Sequence, residues 1–164
     1  MTRDEFEKMR PQSAILRLAV LLAEKSANGE NLTPSEQVIS DISGIDSHVA
    51  PNGFYGWLTN LSCHEIVRTQ AALREAGCLT VSALVQDALG VIGVNPGMTS
   101  DRAKNSIVNR LSESTLGRLN KIDVKYYHAV DACMDLCKQF VLALLLDFPD
   151  IQPYCPDGRI DHNL

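Results

Sequence analysis

The chain of 164 residues sets 20 acidic against 15 basic side chains for a net charge of −5, with 45% hydrophobic and 21% charged residues. That profile fits one globular domain with a buried core and excludes wholesale disorder and collagen-like repetition. The longest strongly apolar run near the C-terminus, Phe140 to Leu146, falls far short of the roughly 20 residues that a bilayer-crossing helix needs.

In chain order, the first residues, Met1 to Glu7, mix acids and bases, and the apolar run that follows is broken by Arg17. This is not a basic leader followed by an uninterrupted apolar segment, so a cytoplasmic location is expected, with no membrane partner. Residues 14–23 are good helix formers and apolar nearly all round, which places that helix centrally or against a second copy in a homodimer. Pro11 marks its first turn and Asn28-Gly29 its end. Thr33-Pro34-Ser35-Glu36 is a capping box opening a helix that should stop by Gly44. Ser62-Cys63-His64-Glu65 opens another, with Gly77 as its stop. Thr80 is expected to cap a helix through Leu89 that ends in the Gly90–Gly97 stretch. One or two weaker helices occupy residues 101–119. A long last helix runs from about Asp123 to Leu146, with Tyr127, Val130, Met134, Cys137, Val141, Leu144 and Leu145 recurring at steps of three and four. No alternating run bounded by hairpin turns is present, so the expected fold is all-α. It is a single multi-helix domain over residues 1–148, with an irregular tail over 149–164.

The most distinctive stretch is Pro51-Asn52-Gly53-Phe54-Tyr55-Gly56-Trp57-Leu58-Thr59-Asn60. Phe54, Trp57 and Leu58 have the i, i+3, i+4 spacing of one helical face, so the segment reads as a short helix entered through a turn at Asn52-Gly53 and left through Asn60. It resembles a bacterial family of small helical domains of unknown function that includes a DNA-mimic protein acting on a transcription repressor. The family pattern is an Asn-Gly-Gly-Phe turn, two variable residues, an aromatic, an aromatic or apolar residue, one variable residue and Asn. Gly53, Phe54, Trp57, Leu58 and Asn60 fall on it, while Pro51 and Asn52 stand where the family has Asn and its first Gly. The Ser62–Gly77 helix and, more loosely, Leu119 to Tyr127 extend the resemblance over roughly residues 36–145. It implies an all-helical, non-enzymatic protein that binds a protein partner.

Charge is unevenly spread. Residues 31–90 carry −4, 91–130 carry +3 and 131–164 carry −4, so the molecule is expected to be two-signed. Asp41, Asp46, Glu65, Glu75, Asp131 and Asp135 are the candidates for an acidic binding surface. Arg102, Lys104, Arg110, Arg118, Lys121 and Lys125 form a basic stretch without aromatic interleaving, which together with the net charge argues against a nucleic-acid partner.

Five cysteines, Cys63, Cys78, Cys133, Cys137 and Cys155, lack the regular spacing of a disulfide scaffold and read as reduced thiols. Cys133 and Cys137 lie one turn apart, but no second Cys or His pair supplies the rest of a zinc site, so no metal and no cofactor is expected. Cys63-His64 sits at a helix mouth, where a thiol pKa falls, although neighbours in a first turn point apart. Asp131 and Asp135 share a helix face that reads as solvated. No complete catalytic constellation is present. The expectation is a non-enzymatic protein-binding module, regulatory through an acidic surface. The alternatives are an immunity or antitoxin-like protein, or a thiol- or metal-dependent enzyme built on Cys63, His64, Cys133 and Cys137.

Overall fold

The computed structural model describes residues 1–95 and 97–151; the predicted tail beyond residue 151, with Cys155, lies outside them. The described residues form seven α-helices and no strand: α1 (Arg3–Lys8), α2 (Pro11–Ala27), α3 (Pro34–Asn60), α4 (Cys63–Glu75), α5 (Leu79–Ile92), α6 (Asp101–Val108) and α7 (Glu113–Ala143), followed by one 3-10 turn at Leu145–Asp147. The all-α expectation holds.

Local chemistry sets most of the boundaries. Thr2, Thr33 and Ser62 each accept a hydrogen bond from the backbone of a glutamate three residues on, and that glutamate's carboxylate returns to the cap. These reciprocal bonds satisfy donors that a helix start leaves orphaned. The first of the three opens α1, a helix the sequence pattern did not reveal. At the far end of α4, Gly77 takes φ +74°, and the Cys78 N–H reaches back to the Leu73 carbonyl at 2.7 Å. This left-handed stop favours glycine because it has no Cβ.

Three expected boundaries shift. Gly44 does not stop α3, which continues through Ile45, Asp46 and Val49, all buried. A glycine inside a helix costs about 1 kcal/mol, less than burial of even one such apolar side chain returns at about 1.5–3 kcal/mol. Thr80 is not a cap, since α5 starts at Leu79 with Cys78 in the cap position and no side-chain bond to it. The last helix begins at Glu113 behind the Ser112 cap, ten residues before Asp123, because Leu119 and Ile122 prolong its buried stripe.

The long α7 packs on α2, α3 and α5, while α3 packs on α2, α4 and α6. Trp57, Tyr126, Phe6, Phe54 and Phe148 are the largest apolar side chains of the core between them. The helix predicted to be apolar all round, α2, buries Ala14, Ile15, Leu18 and Leu22 but leaves Leu16 and Val20 exposed one turn apart.

Candidate functional site

The family-like segment is a kink stapled from across the molecule. At Gly53 the backbone turns to φ +63°, ψ −176°, a region open almost only to glycine, and the helical ladder of α3 is interrupted. The Phe54 N–H donates to Asp123 Oδ1 of α7 at 2.8 Å. Ala50, whose carbonyl that N–H would meet in an unbroken helix, accepts instead from the Tyr127 hydroxyl at 3.3 Å, as does Val49 at 3.1 Å. Helix α7 thus supplies both the acceptor and the donor that the kink leaves wanting. Burial pushes the Asp123 carboxyl up, against the pull of the Phe54 bond.

The rest of the motif packs around this staple. Phe54 stands edge-on to Trp57 and Tyr126, with ring centroids 5.9 and 5.7 Å apart, and Tyr126 donates to buried Asp46 Oδ1 at 3.2 Å. Burial first, and then Asp46, drive the Tyr126 pKa far up. The Asn60 amide donates to the Gly56 carbonyl at 2.8 Å. Exposed Asn52 lies over Gly56 so closely that a Cβ there would collide with its own Cβ. Phe54, Trp57 and Leu58 are fully buried, and the Trp57 Nε1 has no hydrogen-bond partner among the described residues.

Helix α6 clamps the junction that follows. Buried Lys104 donates to the Leu58 carbonyl at 2.7 Å and to that of Leu61, placing a cation at the negative end of α3. Asp101 accepts from the Cys63 N–H at 2.6 Å, placing an anion at the positive start of α4. Both signs follow the helix dipoles. Neither side chain stood out in the sequence as more than part of a charged stretch.

The six candidate acids fall into two groups. Asp41 and Asp46 are buried; Asp41 pairs with Arg68 Nε at 2.7 Å and accepts from Gln37, and Asp46 holds Tyr126. Glu65 closes the α4 capping box, whose Ser62 side-chain and backbone bonds hold its carboxyl below the usual range. Glu75, Asp131 and Asp135 are exposed. On α7, the Asp131/Asp135 row runs beside Ala132 and Leu136. Those two residues, with Leu79 and Thr80 of α5, line a cavity of about 80 Å³, and Leu79 and Leu136 are 64% and 37% exposed. The basic stretch also divides: Lys104 is buried, while Arg118, Lys121 and Lys125 of α7 line a broad groove of about 460 Å³ against α5. Along the long helix, exposed bases thus line the α5 groove in the first half and exposed acids stand beside the smaller cavity in the second.

Cys63 and His64 do not meet Cys133 and Cys137. The Cys63 thiol is buried, and burial first and Asp101 second push its pKa up, opposite to what a nucleophilic thiol requires. Instead Cys78, from the start of α5, joins Cys133 and Cys137, the three sulfurs lying within 4.8 Å of one another.

These features define an all-α domain organised around a glycine kink in one helix, stapled by the long helix that crosses it. The chain belongs to the DMP19-like protein family, whose model matches residues 30–144, from just before α3 to the end of α7. No curated protein and no solved structure gives a match.

Proposed function

We propose that this chain is a non-enzymatic module that binds a protein partner through the face formed by the second half of α7 and the α4–α5 corner. The observation that carries the reading is the pairing, on that face, of exposed Leu79 and Leu136 around one cavity with exposed Asp131 and Asp135 alongside. Apolar anchors rimmed by like charge suit a partner that presents an apolar side chain within a basic surround. The acids that serve this face are the exposed ones, with Glu75 at the corner; Asp41, Asp46 and Glu65 hold the fold together. Membership in the DMP19-like family suits a binding role. The resemblance to a DNA mimic adds a finer form of it, in which the basic partner surface is one that otherwise meets DNA phosphates.

The test is a tagged pull-down from native-host lysate at low and high salt, repeated with Asp131→Lys/Asp135→Lys. A stoichiometric partner that is lost as salt rises, and lost with the double charge reversal while the fold is retained, supports the reading. A partner indifferent to both changes, or none at either salt concentration, refutes it.

A further inference from the structure

Cys78, Cys133 and Cys137 come together although 55 and 59 residues separate the first from the other two. Helix α7 places Cys133 and Cys137 one turn apart on its buried face, and the left-handed stop at Gly77 swings Cys78 onto them from the α5 cap position. The Cys78 and Cys137 sulfurs are 3.7 Å apart. Two Zn–S bonds of about 2.3 Å at a tetrahedral angle put their sulfurs about 3.8 Å apart. The widest separation in the trio is at most 4.8 Å, so closing the set on one ion asks for about 1 Å of side-chain movement.

The surroundings fit the same ion. All three thiols are buried, and no carboxylate or imidazole among the described residues joins them as a fourth ligand. A donor set of sulfur alone selects thiophilic d10 ions. Three thiolates around a dication leave a net charge of about −1 in the interior, against about −2 around a monocation, so desolvation favours the dication. Cys78 lies at the positive end of α5, which offsets part of the remaining charge. The cavity of about 80 Å³ is lined by Cys78 and Cys133 and also by exposed Gly77, Leu79 and Thr80. It therefore runs from the surface down to two of the three cysteines, with room for one or two waters at about 30 Å³ each.

We infer that Cys78, Cys133 and Cys137 form a binding site for Zn2+, with three thiolate ligands and a fourth position that opens to water or an added ligand through the α5–α7 cavity. Binding releases the thiol protons to solvent. In the structure the Cys78 thiol donates to the Cys133 carbonyl at 3.5 Å. The site shares the α5–α7 cavity with the proposed partner face, but its three thiolate ligands need no partner.

The test is anaerobic titration of the reduced 164-residue chain with Zn2+ against a chromophoric chelator, with Co2+ as a spectroscopic substitute. One equivalent of Zn2+, and a Co2+ complex with tetrahedral visible bands and strong sulfur-to-metal charge transfer, are expected. Cys78→Ser and Cys137→Ser should each weaken binding by about 100-fold or more, since loss of groups outside the first coordination sphere alone costs about 10–100-fold. Cys63→Ser, a buried thiol elsewhere, should leave it unchanged. Absence of stoichiometric Zn2+, a Co2+ spectrum without thiolate charge transfer, or equal losses in Cys63→Ser and Cys78→Ser would overturn the assignment. The Co2+ spectrum of the unsubstituted chain decides the matter even if a serine variant fails to fold.

Discussion

Replacing Gly53 by alanine tests whether the kink is held in the way its geometry indicates. The backbone there, at φ +63° and ψ −176°, costs a non-glycine residue about 1–3 kcal/mol. An added Cβ would also sit 2.9 Å from the Asp123 Cγ and closer still to Oδ2. The carboxylate must then swing away, leaving the Phe54 N–H without its acceptor, which costs about a further 1–3 kcal/mol. The total of about 2–6 kcal/mol is a large share of the 5–15 kcal/mol that stabilises an ordinary domain. Urea unfolding followed by the fluorescence of Trp57, the single tryptophan, reads the loss directly, because that ring is fully buried against Phe54. In an Asp123→Ala background the collision and the hydrogen bond are both already gone, so Gly53→Ala should cost only the backbone part. The two substitutions should therefore fall short of additivity by about 1–3 kcal/mol. A Gly53→Ala cost below about 1 kcal/mol, or additivity within about 0.5 kcal/mol, would refute the staple.

Lys25→Met should destabilise by about 1.5–3 kcal/mol in the same assay, because it strips the fully buried Glu36 carboxylate of a charged hydrogen-bond donor at 2.9 Å that is itself only 13% exposed. Lys104→Met should cost about 2 kcal/mol by leaving the Leu58 and Leu61 carbonyls at the end of α3 without their donor, and Lys104→Arg should not restore the loss, since a planar fork does not fit a pocket shaped around a point charge. Acid should weaken the fold through Glu65 and Asp101. Hydrogen bonds from Ser62 to the first, and from Cys63 to the second, hold their folded pKa values below the ordinary 4.5 and 3.8. Their contribution is complete above those ordinary values and is lost as pH falls through the lower folded ones. Unfolding midpoints from about pH 6 to pH 2.5 should show this limb, flattened in Glu65→Gln and Asp101→Asn. Lys25, raised above 10.5 chiefly by its bond to Glu36, works at the other end, where its contribution is full below 10.5 and is lost as pH rises past its folded value.

What could be read in the sequence is what neighbours decide. The capping boxes at Thr33 and Ser62, the stop at Gly77 and the Phe54/Trp57/Leu58 face are local codes of three to four residues, and the two helix starts, the stop and the buried face are where they were expected. Gly44 misled because whether a helix passes through a glycine depends on the face buried beyond it, here Ile45 and Val49. Asp41 and Asp46 look like surface acids in a chain of many acids; their partners, Arg68 and Tyr126, stand 27 and 80 residues away. The same distance hid the thiol trio, since Cys133 and Cys137 show their pairing in the sequence and Cys78 does not. Asp123 was visible as the expected start of the last helix and as part of a loose motif, but not as a partner of Phe54, since that bond spans 69 residues.

That last separation bears on how the chain is made. Translation proceeds at about 5–20 residues per second, so roughly 3 to 14 seconds pass between synthesis of Phe54 and of Asp123. For that interval the first half of α3 can wind on its own capping box, but the bend at Gly53 has neither its acceptor nor its donor. Nascent protein truncated before α7 should therefore hold α3 unbent or frayed beyond Ala50. A cell that stalls translation in the α6–α7 connection would display Phe54 and Trp57 to chaperones instead of burying them.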